Sequence, residues 1–167
     1  MASGPMLELA ERVVSIAAEH GAAVIVNDRV DVARIARAAG VHVGQEDLPP
    51  SQARELLGAD AIVGFSTHSL AQIRAALAEP VTYLAVGPIF GTRTKDTGYA
   101  AVGLELVAEA ARTAGTPIVA IGGITLESAP SVLAAGATCV AVVGDLLVGD
   151  PAARVRAYVE RLAACGR

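Results

Sequence analysis

Gly40-Val41-His42-Val43-Gly44-Gln45-Glu46-Asp47-Leu48-Pro49-Pro50 contains the pattern from which most of the chain is built. A short β-branched run at 41–43 leads into a polar stretch. Asp47 then precedes two prolines, which can open a helix but cannot sit inside a central strand. Similar apolar runs occur at 24–26, 61–65, 83–86, 118–121 and 140–143. Each is continuous rather than alternating, the pattern of strands covered on both faces. Helical spacing fills the intervals, as in Leu70, Ile73, Leu77 and in Leu104, Val107, Ala111. Ser69 with Gln72 predicts a capping box, and Asp150-Pro151 predicts a cap with proline at the first helical position. Gly40, Gly58, Gly115 and Gly136 are expected to end helices. Most strands recur at the roughly 20-residue interval of compact βα units. One parallel α/β domain is expected over residues 1–167, with the first six frayed.

Composition narrows the partners. The 167 residues are 53% hydrophobic and 18% charged, with a net charge of −4. That excludes a disordered tail, and there is no basic field for nucleic acid. No apolar run reaches the length of a membrane span, and no signal-peptide pattern opens the chain. Cys139 and Cys165 lack disulfide or zinc spacing, which suits a reducing cytoplasm. Lys95 is the one lysine among 13 basic residues.

Two architectures fit the alternation, an open doubly wound sheet and a (β/α)8 barrel. Both place function beyond the carboxyl ends of the strands. The glycine fingerprints of dinucleotide and nucleoside-triphosphate sites do not occur. Gly122-Gly123 and Gly144 instead suit a barrel phosphate site, where bare backbone N–H groups approach an oxyanion. Asn27-Asp28-Arg29 and Asp47 each allow two readings, a helix cap or a ligand for a hard cation. Adjacent parallel strands lie about 4.8 Å apart, so Asp28 and Asp47 could meet on one magnesium ion. In Gly87-Pro88-Ile89-Phe90-Gly91-Thr92-Arg93-Thr94-Lys95, two hydroxyls and a mobile cation could wrap a phosphate. His68 is a candidate base or a histidine packed at a helix start. His42 is expected to be structural, and His20 suits a helix end.

Five motifs occur in a fixed order: Asn27-Asp28-Arg29, Gly40 through Pro49, Gly64-Phe65-Ser66-Thr67-His68, Gly87 through Lys95, and Ala120-Ile121-Gly122-Gly123-Ile124. Together they resemble thiamine-phosphate synthase, a TIM-barrel family that joins hydroxymethylpyrimidine diphosphate to a thiazole phosphate and releases pyrophosphate. The resemblance implies a transferase of thiamine biosynthesis with Mg2+ as cofactor. It makes Asp28 and Asp47 the metal ligands and gives Asn27, Ser66 and Lys95 to the pyrimidine diphosphate, with Lys95 and Ser66 taken as catalytic. Thr92 and Thr94, with the backbone at Gly123, Val143 and Gly144, fall to the thiazole phosphate. Gly144 stands where the family usually has serine, which removes one hydroxyl contact. Six visible units are two short of the family's barrel, and its Gln-x-Arg-x-Lys run is not among these residues. The expectation is therefore weak or absent synthase activity from this chain alone, with self-association plausible at exposed edges. The alternatives are a thiazole-tautomerase-like isomerase using His68 and a non-catalytic phosphate-binding relic.

Overall fold

The computed structural model describes residues 2–91 and 98–163. Its elements are α1 (Ser3–Glu19), β1 (Ile25–Asn27), α2 (Val30–Ile35), β2 (Gly40–Val43), α3 (Pro50–Leu57), β3 (Ile62–Thr67) and α4 (Leu70–Ala76). They continue with β4 (Tyr83–Val86), α5 (Gly103–Thr113), β5 (Ile118–Ile121), α6 (Ala129–Ala134), β6 (Cys139–Ala141), one 3-10 turn (Gly144–Leu147) and α7 (Pro151–Ala163). All six expected strands form in an α/β order. No helix among the described residues is long and apolar enough to cross a membrane. The residues group into two compact units, Met1–Ser66 with Ala76–Tyr83, and Thr67–Ala75 with Leu84–Arg167.

In the first unit β1, β2 and β3 pair in parallel, with Val26 opposite Val41 and Val41 opposite Val63. Strand alternation turns Val26, Val41, Val43 and Val63 to one face. There they are buried with Val30, Val32 and Ala33 of α2 and Ala53 of α3. Met6, Leu7 and Ala10 of α1 pack against the same cluster. Burying each valine contributes about 1.5–3 kcal/mol. The opposite face carries Asn27, His42 and Gly64, which share one register row, and Ser66 two residues further along β3. Apolar cover on both faces was expected, and in this unit the second face is mixed instead, with Ile25 and Ile62 in the row two residues before these polar ones.

Three local expectations are corrected here. Helix α1 begins at Ser3, so residues 3–6 are helical rather than frayed. Helix α2 ends through Arg37, at φ 54°, with Ala38 N–H donating 3.0 Å to the Ala33 carbonyl. Gly40 is not a helix stop but the first residue of β2. A β-carbon on it would lie 2.8 Å from Ile62 Cα and closer still to the Ile62 carbonyl, so the strand pairing itself requires glycine. Asp47 does not cap α3, because Pro49 holds that position with no side-chain cap.

In the second unit β4, β5 and β6 pair in parallel, with Ala85 opposite Val119 and Ala120 opposite Val140. Leu84, Val86, Ile118 and Ala120 are buried, as are Val107 and Ala110 of α5 and Ala129 and Val132 of α6. Asp150 accepts from the N–H groups of Ala152 and Ala153 at 3.1 and 3.3 Å, the cap expected for α7. Ser69 accepts from Gln72 N–H at 3.2 Å, but the Gln72 side chain reaches back to His68 N–H rather than to Ser69.

Candidate active site

Strand β1 stops in a tight turn. Asp28 adopts φ 64°, its N–H donates 2.7 Å to the His42 carbonyl, and Arg29 N–H returns 2.8 Å to Asn27. A left-handed aspartate is uncommon and directs the chain sharply away from the strand. Helix α2 then starts at Val30 with Arg29 as cap residue and no side-chain cap bond, so neither Asn27 nor Asp28 is a helix cap. Arg29 instead grips Asp31 through two bonds, at 2.8 and 2.5 Å. That hydrogen-bonded pairing holds the Asp31 carboxyl down at about 2.

Beyond β2, Asp47 Oδ2 accepts from Gly44 N–H at 2.7 Å, which closes the loop and leaves Oδ1 outside that bond. Gln45 Nε2 donates 2.6 Å to the Ser66 carbonyl and ties this loop to the end of β3. Asp28 and Asp47 therefore follow the ends of two neighbouring strands, with the cap reading removed for both. Carboxylates are hard oxygen donors of the kind that magnesium takes. No group of three His, Cys, Asp or Glu side chains among the described residues could hold a metal by itself.

Ser66 is half-buried, and its Oγ lies 2.8 Å from His42 Nε2. On the other side of the imidazole, Nδ1 lies 3.0 Å from the Tyr83 hydroxyl. The two rings stack with centroids 5.6 Å apart. His42, expected to be merely structural, joins two hydroxyls across Gly64, its register partner. One signal in the sequence pointed this way, a polar ring inside an apolar strand.

In the second unit, the segment after β4 lies on the Gly-Gly pair that follows β5. Ile89 N–H donates 2.9 Å to Ile121 and Phe90 N–H donates 3.0 Å to Gly122. β-Carbons at Gly122 and Gly123 would lie 2.6 Å from Pro88 Cα and from the Gly91 carbonyl oxygen, respectively. Both glycines also have positive φ, 96° and 67°. Chain packing thus accounts for Gly-Gly independently of any oxyanion. Val143 is exposed, and Gly144 opens the 3-10 turn. Thr92, Thr94 and Lys95 lie outside the described residues.

His68 Nδ1 lies 2.6 Å from the Gly87 carbonyl, and its ring stacks on Tyr99 at 3.8 Å between centroids. A carbonyl only accepts, so Nδ1 carries a proton, and in the neutral ring Nε2 presents a lone pair. Asp145 was assigned no role from sequence, yet it accepts three bonds from Arg154, at 2.8, 2.9 and 3.1 Å. It also accepts from the Tyr158 hydroxyl at 2.6 Å and from Leu126 N–H at 3.0 Å. Burial raises the Asp145 pKa, but the bonds from Arg154 and Tyr158 outweigh that, and the net shift is downward. Tyr158 is pushed up by burial and by its bond to Asp145.

The pattern of the family described as thiamine monophosphate synthase matches residues 1–146. The chain is similar to a thiamine-phosphate synthase of Anaeromyxobacter dehalogenans, 45% identical over 95% of this chain and 72% of that one. A Synechococcus thiamine-phosphate synthase is also 45% identical, over 95% of this chain but only 45% of its own length. The chain thus spans less than half of some curated relatives. Among solved structures, thiamine phosphate pyrophosphorylase from Pyrococcus furiosus superposes with a TM-score of 0.91 at 28% identity, covering 100% of this chain and 80% of that one.

Proposed function

The chain belongs to the thiamine monophosphate synthase family, and on that premise we propose that it joins hydroxymethylpyrimidine diphosphate to a thiazole phosphate, on a TIM-type (β/α)8 fold. The observation that carries the reading is the placement of Asp28 and Asp47 just past the ends of adjacent strands, with neither of them capping a helix. Asn27 and Ser66 orient the pyrimidine diphosphate, and Asp28 and Asp47 hold magnesium against it. Magnesium held there would supply charge neutralisation for the departing pyrophosphate. Lys95 adds a positive charge to the same group. The carbon–oxygen bond to pyrophosphate breaks with its electron pair, and the thiazole nitrogen closes the new carbon–nitrogen bond. No protein nucleophile is required. Thr92 and Thr94, with the backbone at Gly123, Val143 and Gly144, hold the thiazole phosphate. Cys139, a free exposed thiol, suits a reducing cytoplasm.

A second reading, a thiazole tautomerase, is favoured by one observation. His68 presents Nε2 as an acceptor while Nδ1 is committed to Gly87. Incubation with the thiazole phosphate alone and then with both substrates and magnesium separates the two. Thiamine phosphate formed only in the second mixture supports the synthase. Rearranged thiazole in the first mixture, without thiamine phosphate in the second, supports the tautomerase.

A further inference from the structure

We infer that Tyr83 and His42 are positioning residues that fix the direction in which the Ser66 hydroxyl donates. The inference rests on the reading that Ser66 touches the pyrimidine diphosphate. The geometry joins the Tyr83 hydroxyl to His42 Nδ1 at 3.0 Å and His42 Nε2 to Ser66 Oγ at 2.8 Å. In its neutral form the imidazole carries one ring proton, which gives the hydrogen-bonded chain two polarities. A phenol, with pKa about 10, is a much stronger hydrogen-bond donor than a serine alcohol. Tyr83 therefore donates to Nδ1, the ring proton sits on Nε2, and Nε2–H donates to Ser66 Oγ. The serine oxygen is then satisfied as an acceptor, and its own proton is turned away from His42.

A serine so fixed acts as a donor, which matches a phosphate oxygen or a pyrimidine ring nitrogen. The opposite polarity would spend the serine proton on His42 and present only a lone pair to an anionic substrate. Gly64 makes the arrangement possible. It is the register partner of His42, and a β-carbon there would lie 2.6 Å from His42 Nδ1 and closer still to the tyrosine ring. Gln45 completes the support by donating 2.6 Å to the Ser66 carbonyl, which holds the end of β3.

Nitrogen-15 NMR of the chain reads the His42 tautomer, and calorimetry with hydroxymethylpyrimidine diphosphate and magnesium reads binding. The expected result is a proton on Nε2, a shift toward mixed tautomers in Tyr83→Phe, and roughly fivefold weaker binding in that variant. In a Ser66→Ala background, Tyr83→Phe should change binding by less than twofold, because its effect passes through the serine. A proton on Nδ1 in the unsubstituted chain overturns the inference. So does an equal loss from Tyr83→Phe in both backgrounds, which marks a merely structural tyrosine. Failure of the unsubstituted chain to bind the diphosphate overturns the synthase reading, and this inference with it.

Discussion

Gly64 leaves open the space through which the Tyr83 hydroxyl reaches His42. Alanine at this position must displace the ring or part the strands, since β2 and β3 are in register there. We expect Gly64→Ala to destabilise the chain by about 1–3 kcal/mol, the usual cost of overpacking. Urea unfolding measures it. A midpoint equal to that of the unsubstituted chain would show that the slot is not tight.

Asp28 and Asp47 should act on magnesium rather than on the fold. Asp47→Asn keeps an oxygen to accept from Gly44 N–H, so its thermal midpoint should stay within a few degrees. Magnesium-dependent binding of the pyrimidine diphosphate should weaken at least tenfold in Asp28→Asn and in Asp47→Asn, about 1.4 kcal/mol each. Calorimetry with and without the metal checks both, and equal affinities in all three chains would remove the carboxylates from the site.

Asp145 ties the 3-10 turn to α7 through Arg154 and Tyr158, and reaches Leu126 N–H beyond β5. Its folded pKa is depressed, so its stabilising contribution is complete above the unfolded carboxylate value of about 3.9. That contribution is lost as pH falls from there through the folded value. Chemical unfolding at several pH values should show Asp145→Asn with a shallower loss of stability below about pH 4. An unchanged acid slope would contradict this. Tyr158→Phe removes one hydrogen bond from a buried ring and should cost about 1 kcal/mol at neutral pH.

The strands were legible because their cores are continuous β-branched runs. Helix ends at Gly58, Gly115 and Gly136 were legible because positive φ favours glycine. Gly40 misled because glycine also marks close backbone approach, and only the position of Ile62 distinguishes the two uses. Asp28 and Asp47 were legible as candidates, but each was also readable as a cap, Asp47 more so, until the helix starts at Val30 and Pro50 were fixed. His42 was undervalued because its partners, Ser66 and Tyr83, are 24 and 41 residues away and no local spacing connects them. The same distance effect hid the Asp145 network, which draws on residues from Leu126 to Tyr158.

The central claim is a magnesium-dependent alkyl transfer. The most direct measurement is simultaneous quantification of thiamine phosphate and pyrophosphate after mixing the chain with both substrates. With magnesium the two products should appear in equal amounts, at the reduced rate expected of this chain alone, and neither should appear when the metal is chelated. Pyrophosphate released without thiamine phosphate, or thiamine phosphate formed equally well with the metal chelated, would contradict it.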